Sequence, residues 1–166
     1  MRKLAIFSFI FASSLLPGCI TLDSSDEKSA LEIQAIQARV FEADRPLAFR
    51  SILSVLQDLG YVIQSASLES GVITAQSPIK AETWSSIGLG VSVAGLRNEV
   101  RTYVTATTEE FHSKQTRVRL TFVERRVSSS IQGQQSTDES VVLDVRTYEQ
   151  VFSKIGDAIF MRAVQR

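Results

Sequence analysis

Between Pro46 and Leu59 apolar side chains recur at three- and four-residue steps, with Phe49, Ile52, Leu53, Leu56 and Leu59 on one stripe and Arg50, Ser54, Gln57 and Asp58 on the other. That spacing predicts an amphipathic helix with one face toward a core. Asp44 supplies an N-cap carboxylate, Pro46 falls in the first turn, where a missing N–H costs nothing, and Gly60 ends the helix as a residue free to take positive φ. Helical spacing returns from about Asp144 to Val164. There Tyr148, Phe152, Ile155 and Ile159 share a face that Val151, Ala158 and Ala163 widen, and Gly156 lowers propensity without breaking the stripe.

Alternation with period two marks the strands. Tyr61–Leu68 and Gly71–Ser77 read as a hairpin joined through Glu69, Ser70 and Gly71. Glu99–Phe111 and Arg117–Val127 read as a longer hairpin joined by His112–Gln115, with Val118, Leu120 and Phe122 on one face and Arg117, Arg119 and Thr121 on the other. Ala38–Ala43 reads as a first strand, and Ala30–Gln37 before it is open to a helix. The apolar stretch from Pro78 to Leu96 is interrupted by Gly88, Gly90 and Gly95, so it reads as a loop or short helix laid over the sheet; a membrane- or partner-contacting patch is its alternative. Polar Ser128–Ser136 reads as a mobile loop or a frayed strand extension. Together these elements predict an α+β fold, an antiparallel β-sheet of about four to five strands with two amphipathic helices packed on one face.

The N-terminus has a different character. Two cations, Arg2 and Lys3, precede the uncharged run Leu4–Leu16, which has signal-peptide length and falls short of a permanent membrane span. It closes on Leu16-Pro17-Gly18-Cys19, around the only cysteine of the chain. This tetrapeptide resembles the lipobox of bacterial lipoproteins, matching at Leu16, Gly18 and Cys19 and departing at Pro17. The resemblance implies cleavage after residue 18 and diacylglycerol on Cys19, with Ile20 rather than Asp next to it, a pattern that in such lipoproteins favours the outer membrane. The expected organisation is a signal peptide over 1–18, a lipidated N-terminus and flexible spacer over 19–29, and one periplasmic domain over 30–166.

Charge narrows the partners. The chain carries 18 basic and 18 acidic side chains, and loss of Arg2 and Lys3 leaves 16 against 18, which gives no reason to expect nucleic acid. With Cys19 lipidated no thiol remains for a disulfide, so stability is expected from packing.

Val55–Ile63, Gly71–Ala75 and Tyr148–Ile155 resemble small uncharacterised lipoproteins of Gram-negative bacteria. The order of amphipathic helix, Gly-aromatic, strand and Gly-Val-Ile-Thr strand is similar, more loosely, to the helix-grip domains of the lipoprotein in the outer-membrane barrel-assembly machinery. Every matching residue has a packing or turn role. The resemblance therefore implies a fold and a place in the envelope, and transfers no functional residue.

Chemistry is sparse. His112, the only histidine, falls in a hairpin turn with no nucleophile or orienting carboxylate placed beside it by sequence. No second histidine or free cysteine offers a zinc site, and Gly88-Leu89-Gly90 lacks the lysine and hydroxyl of a phosphate loop. Asp26-Glu27, Glu109-Glu110 and Asp138-Glu139 read as solvated charge in spacer, strand end and loop. Arg117, Arg119, Arg125 and Arg126 read as a mixed-charge wet face with Glu109, Glu110 and Glu124. No catalytic residue, metal or cofactor is expected. The leading expectation is a membrane-anchored, non-catalytic accessory that binds an envelope protein through the uncovered sheet face or a contact patch of Trp84, Ile87, Leu89, Val91 and Val93. The alternative is a lipid or small-molecule binding module in which the same five residues form a lid. A hydrolase would need a site assembled only by the fold.

Overall fold

The computed structural model describes residues 28–84, 87–88, 91–92, 96–129 and 134–165, with residues 82–97 described, where at all, by backbone alone. Helix α1 (Ala30–Gln37) opens with a capping box: Glu32 N–H donates to Ser29 Oγ at 3.3 Å and Ser29 N–H to the Glu32 carboxylate at 2.7 Å. It passes directly into β1 (Ala38–Phe41).

Helix α2 (Arg45–Asp58) is capped by Asp44, whose carboxylate accepts from Leu47 N–H at 2.8 Å. Its buried stripe is Leu47, Ala48, Phe49, Ser51, Ile52, Val55 and Leu56. Leu59 does not extend that buried stripe: it is the C-cap and 37% exposed, because the helix stops at Asp58. Gly60 at φ 83° ends the helix as the sequence predicts, donating to Gln57 O at 2.9 Å.

Strands β2 (Val62–Ser67) and β3 (Val72–Gln76) form the first hairpin. Gly71 takes φ 71° in its turn, and a Cβ there would land against the Thr108 carbonyl oxygen. That closeness has a purpose, since Thr108 N–H donates to Gly71 O at 2.8 Å and its hydroxyl at 3.1 Å. Only glycine satisfies both the dihedral and the contact.

The segment after Pro78 is a correction to the loop or helix expected there. Residues Lys80–Trp84 form β4, and Ile87–Gly88 and Val91–Ser92 pair as the two-residue strands β5 and β6. Strand β4 follows β3 along the same edge of β7 (Leu96–His112), with Gln76 opposite Tyr103 and Lys80 opposite Val100. Between them Pro78 brings no N–H, and Ser77 bridges the gap: its Oγ accepts from Thr102 N–H at 2.9 Å and its N–H donates to Thr102 O at 2.8 Å.

Strands β7 and β8 (Gln115–Ser129) pair from Arg97–Ser129 to His112–Gln115, a hairpin much longer than either helix-covered row requires. Of the polar run after it, Ser128 and Ser129 extend β8 and residues 130–133 lie outside the described residues; the second correction concerns Asp138-Glu139, expected in a loop. Gln135–Val141 is a strand, β9, paired with β8 from Val123 to Ser129, and Asp138 and Glu139 lie on it rather than in a loop. Helix α3 (Val145–Val164) follows, capped by Asp144, with Tyr148, Val151, Phe152, Ile155 and Ile159 buried and Ala163 exposed.

Among the described residues the main antiparallel sheet has seven strands, ordered β1-β8-β7-β3-β2, with β4 added to β7 and β9 to β8. The α+β fold expected from the sequence is present, with more strands and one further helix, α1. The core lies between α2, α3 and one face of the sheet, where Ile52, Leu56, Ile73, Ala106, Val118, Leu120 and Ile155 are fully buried. Phe122 and Tyr148 meet edge to face at 5.1 Å, and the Tyr148 hydroxyl donates to Val142 O at 3.0 Å while accepting from Phe122 N–H at 3.4 Å.

Candidate interaction surface

Side-chain alternation fixes which residues turn away from the helices. On β7 and β8 they are Glu99, Arg101, Tyr103, Thr105, Thr107 and Glu109, opposite Val127, Arg125, Val123, Thr121, Arg119 and Arg117. The register carries one row across five strands: Val62, Gln76, Tyr103, Val123 and Val141. Val62 and Val141 at its ends are 54% and 51% exposed. Ile79, 48% exposed, lies beside the row in a cleft of about 220 Å³ with Glu99, Arg101, Tyr103, Arg125 and Val127.

Arg101 and Arg125 are direct cross-strand partners, an arrangement that repels unless each charge is answered. Each is engaged by a different neighbour. Arg101 donates to Gln76 Oε1 at 3.2 Å. Arg125 pairs with Glu139 at 2.5 Å, lies over the Tyr103 ring at 4.8 Å and donates to its hydroxyl at 3.3 Å. The Glu139 hydrogen bond, then its charge, raises the Arg125 pKa further above its ordinary value. The result is an amphipathic belt, with Val62, Tyr103, Val123 and Val141 in one row interrupted by Gln76 and with arginines beside it, fixed in place by strands rather than loops.

Sequence-predicted residues fall in different places. Arg117, Arg119 and Arg125 share this face as expected, whereas Arg126 points to the opposite side and pairs with Glu124 at 2.8 Å, because adjacent strand residues alternate. Arg125 finds Glu139 of β9, a partner invisible until that strand is recognised. His112 closes the β7–β8 ladder opposite Gln115, its ring edge-on to Phe111 at 4.3 Å, with Arg117 over Phe111 at 4.5 Å. A cleft of about 380 Å³ opens beside it, lined by Asp44, Arg45, Glu110, His112 and Lys114 among others, but the Asp44 carboxylate there is occupied as the α2 cap.

Leu16, Pro17, Gly18, Cys19, Leu89 and Val93 lie outside the described residues, and Trp84, Ile87 and Val91 are described by backbone only. Among the described residues no helix is long and apolar enough to cross a membrane, and no cluster of three or more His, Cys, Asp or Glu side chains is placed to hold a metal ion.

Fold and surface together define an antiparallel α+β domain with helices over one sheet face and a built, open belt on the other. In comparisons with known proteins no family model and no curated protein matches the chain.

Proposed function

We propose that the chain is a lipid-anchored periplasmic lipoprotein of the outer membrane, non-catalytic, whose open sheet face binds a protein partner in assembly or maintenance of the envelope. The observation that carries the reading is the belt across five strands. Exposed Val62 and Val141 end a row held in fixed register through Gln76, half-buried Tyr103 and half-buried Val123, and its polar members Gln76, Arg101, Arg125 and Glu139 are engaged with one another or with Tyr103. A strand-borne surface that combines exposed apolar side chains, a tyrosine ring and arginines has the composition enriched in protein interfaces. Anchoring rests on Leu16-Pro17-Gly18-Cys19 and the apolar run before it. Two acyl chains would hold the domain at a membrane surface stably.

Two experiments test it in turn. Palmitate labelling of the chain in cells should be abolished by Cys19→Ser, with the variant moving to the soluble fraction; equal fractionation of both would remove the anchor. A photo-crosslinking residue at Tyr103 should capture one defined envelope protein that the same residue at Gln150, on the outer side of α3, does not. Identical capture from both positions would sink the assignment of the sheet face.

A further inference from the structure

The outward stripe of α3 changes character along its length. Gln150, Ser153, Lys154 and Asp157 face solvent in the first turns, as an amphipathic helix requires. The same stripe continues as Phe160, Met161 and Val164, exposed by 67%, 57% and 71%. Three large apolar side chains at spacings of one, three and four residues form a contiguous patch on the last turns, opposite the buried Ile155 and Ile159. Lys154 precedes it on the same stripe beside Asp157, whereas half-buried Arg162 lies on the side of Ile155 and Ile159.

The position of this patch relative to the N-terminal segment is fixed by the fold. Lys28 Nζ donates to Leu143 O at 2.6 Å, so the chain enters the domain beside the start of α3. The helix then passes Tyr148 over Phe122 and Gly156 beside Phe41, which places its last turns at the other end of the domain. Its 20 residues rise about 30 Å. Fully extended, the segment from Cys19 to Lys28 spans about the same distance. A lipid on Cys19 therefore keeps the whole outer side of α3 within reach of the bilayer.

We infer that the last turns of α3 rest in the lipid surface and orient the domain, with Phe160, Met161 and Val164 at the acyl–headgroup boundary and Lys154 at anionic headgroups. The inference rests on the anchoring proposed above. Three side chains alone bind a bilayer weakly, but tethering makes the contact intramolecular, so a weak patch is occupied most of the time. The geometry has a directional consequence. The helices lie on one side of the sheet, so resting α3 on the membrane turns the Tyr103 belt away from it, toward the periplasm.

The test uses the full chain, purified with its lipid and reconstituted in vesicles of phosphatidylethanolamine and phosphatidylglycerol. An environment-sensitive fluorophore is attached at Val164→Cys or, as the control on the open face, at Thr105→Cys, and the vesicles carry spin-labelled lipid as quencher. Quenching at position 164 should exceed that at 105 several-fold. Adding Phe160→Ser and Met161→Ser should lower it to the control level while the protein still floats with the vesicles. Flotation with equal quenching at both positions overturns the orientation and leaves the anchor standing. Self-quenching at 164 without quenching by lipid assigns the patch to a second copy of the chain and also overturns it. A chain that does not float removes the anchor, and this orientation with it.

Discussion

Strand β8 contains two different environments in one unbroken segment. From Thr116 to Phe122 every second residue is fully or almost fully buried beneath α2 and α3; from Val123 to Ser129 none is, although β7 and β9 flank it throughout. Backbone pairing does not make the difference: β7 pairs with both stretches, and the other edge is paired with β1 only over Thr116–Arg119 but with β9 over the whole of Val123–Ser129. The difference shows that hydrogen bonding lengthens this sheet and apolar burial stabilises only part of it. Net stabilisation by a hydrogen bond exchanged with water is small, about 1 kcal/mol, while a buried aliphatic or aromatic side chain contributes about 1.5–3 kcal/mol.

Truncation along the one strand is the sharpest way to break this contrast. Leu120→Ala, in the covered stretch, should cost about 2–5 kcal/mol in urea unfolding, and Val127→Ala, seven positions on, less than about 1 kcal/mol. Equal losses would mean that the outer stretch has a core of its own. A turn in the covered half ranks next. Gly71→Ala should destabilise by about 2–4 kcal/mol, combining the left-handed dihedral with displacement of Thr108, and no rearrangement of a flexible side chain can relieve it because the obstacle is backbone. Thermal unfolding of the variant at the parent's midpoint would refute the account.

Tyr148→Phe probes the seam between the two halves, where one hydroxyl serves both Val142 O and Phe122 N–H. The expected loss is about 1–3 kcal/mol, with accelerated amide exchange concentrated at Val142 and Phe122. The smallest effect is acid sensitivity. The hydrogen bond from the Thr147 side chain, then that from its backbone, holds the Asp144 carboxyl below its ordinary value, and the Ser29 backbone does the same chiefly for Glu32. Both groups bind protons more weakly folded than unfolded, so their contribution is present above the ordinary carboxylate values near pH 4 and is lost as pH falls through the lowered folded values. Asp144→Asn keeps a cap without the titration. Its melting temperature should therefore fall less between pH 5 and pH 2 than the parent's; an unchanged acid slope would exclude Asp144 as a source.

The same contrast explains what was legible in the sequence. Helices α2 and α3, the β2–β3 turn and the covered stretch of β8 were readable because burial on one side imposes a period, visible at Ile52, Leu56, Phe152 and Leu120. Strand β9, Gln-Ser-Thr-Asp-Glu-Ser-Val, is exposed along its whole length, so nothing selects alternation and its sequence reads as loop. The β4 pairing escaped for a related reason: Pro78 and three glycines suggested an interruption, whereas Ser77 bridges the proline and the strand resumes. For the interaction belt, Tyr103 and Val123 follow from the alternation of the long hairpin. Val141 and the Arg125–Glu139 pair depend on a strand that only the fold reveals.

Chain order adds a consequence of the Tyr148 contacts. A ribosome delivers all the strands before α3, so a nascent chain interrupted short of residue 148 presents Val118, Leu120 and Phe122 with α2 alone to shelter them. Whether such a fragment stays soluble is then decided by how quickly the remaining helix is delivered to it, or by a chaperone that occupies its place meanwhile.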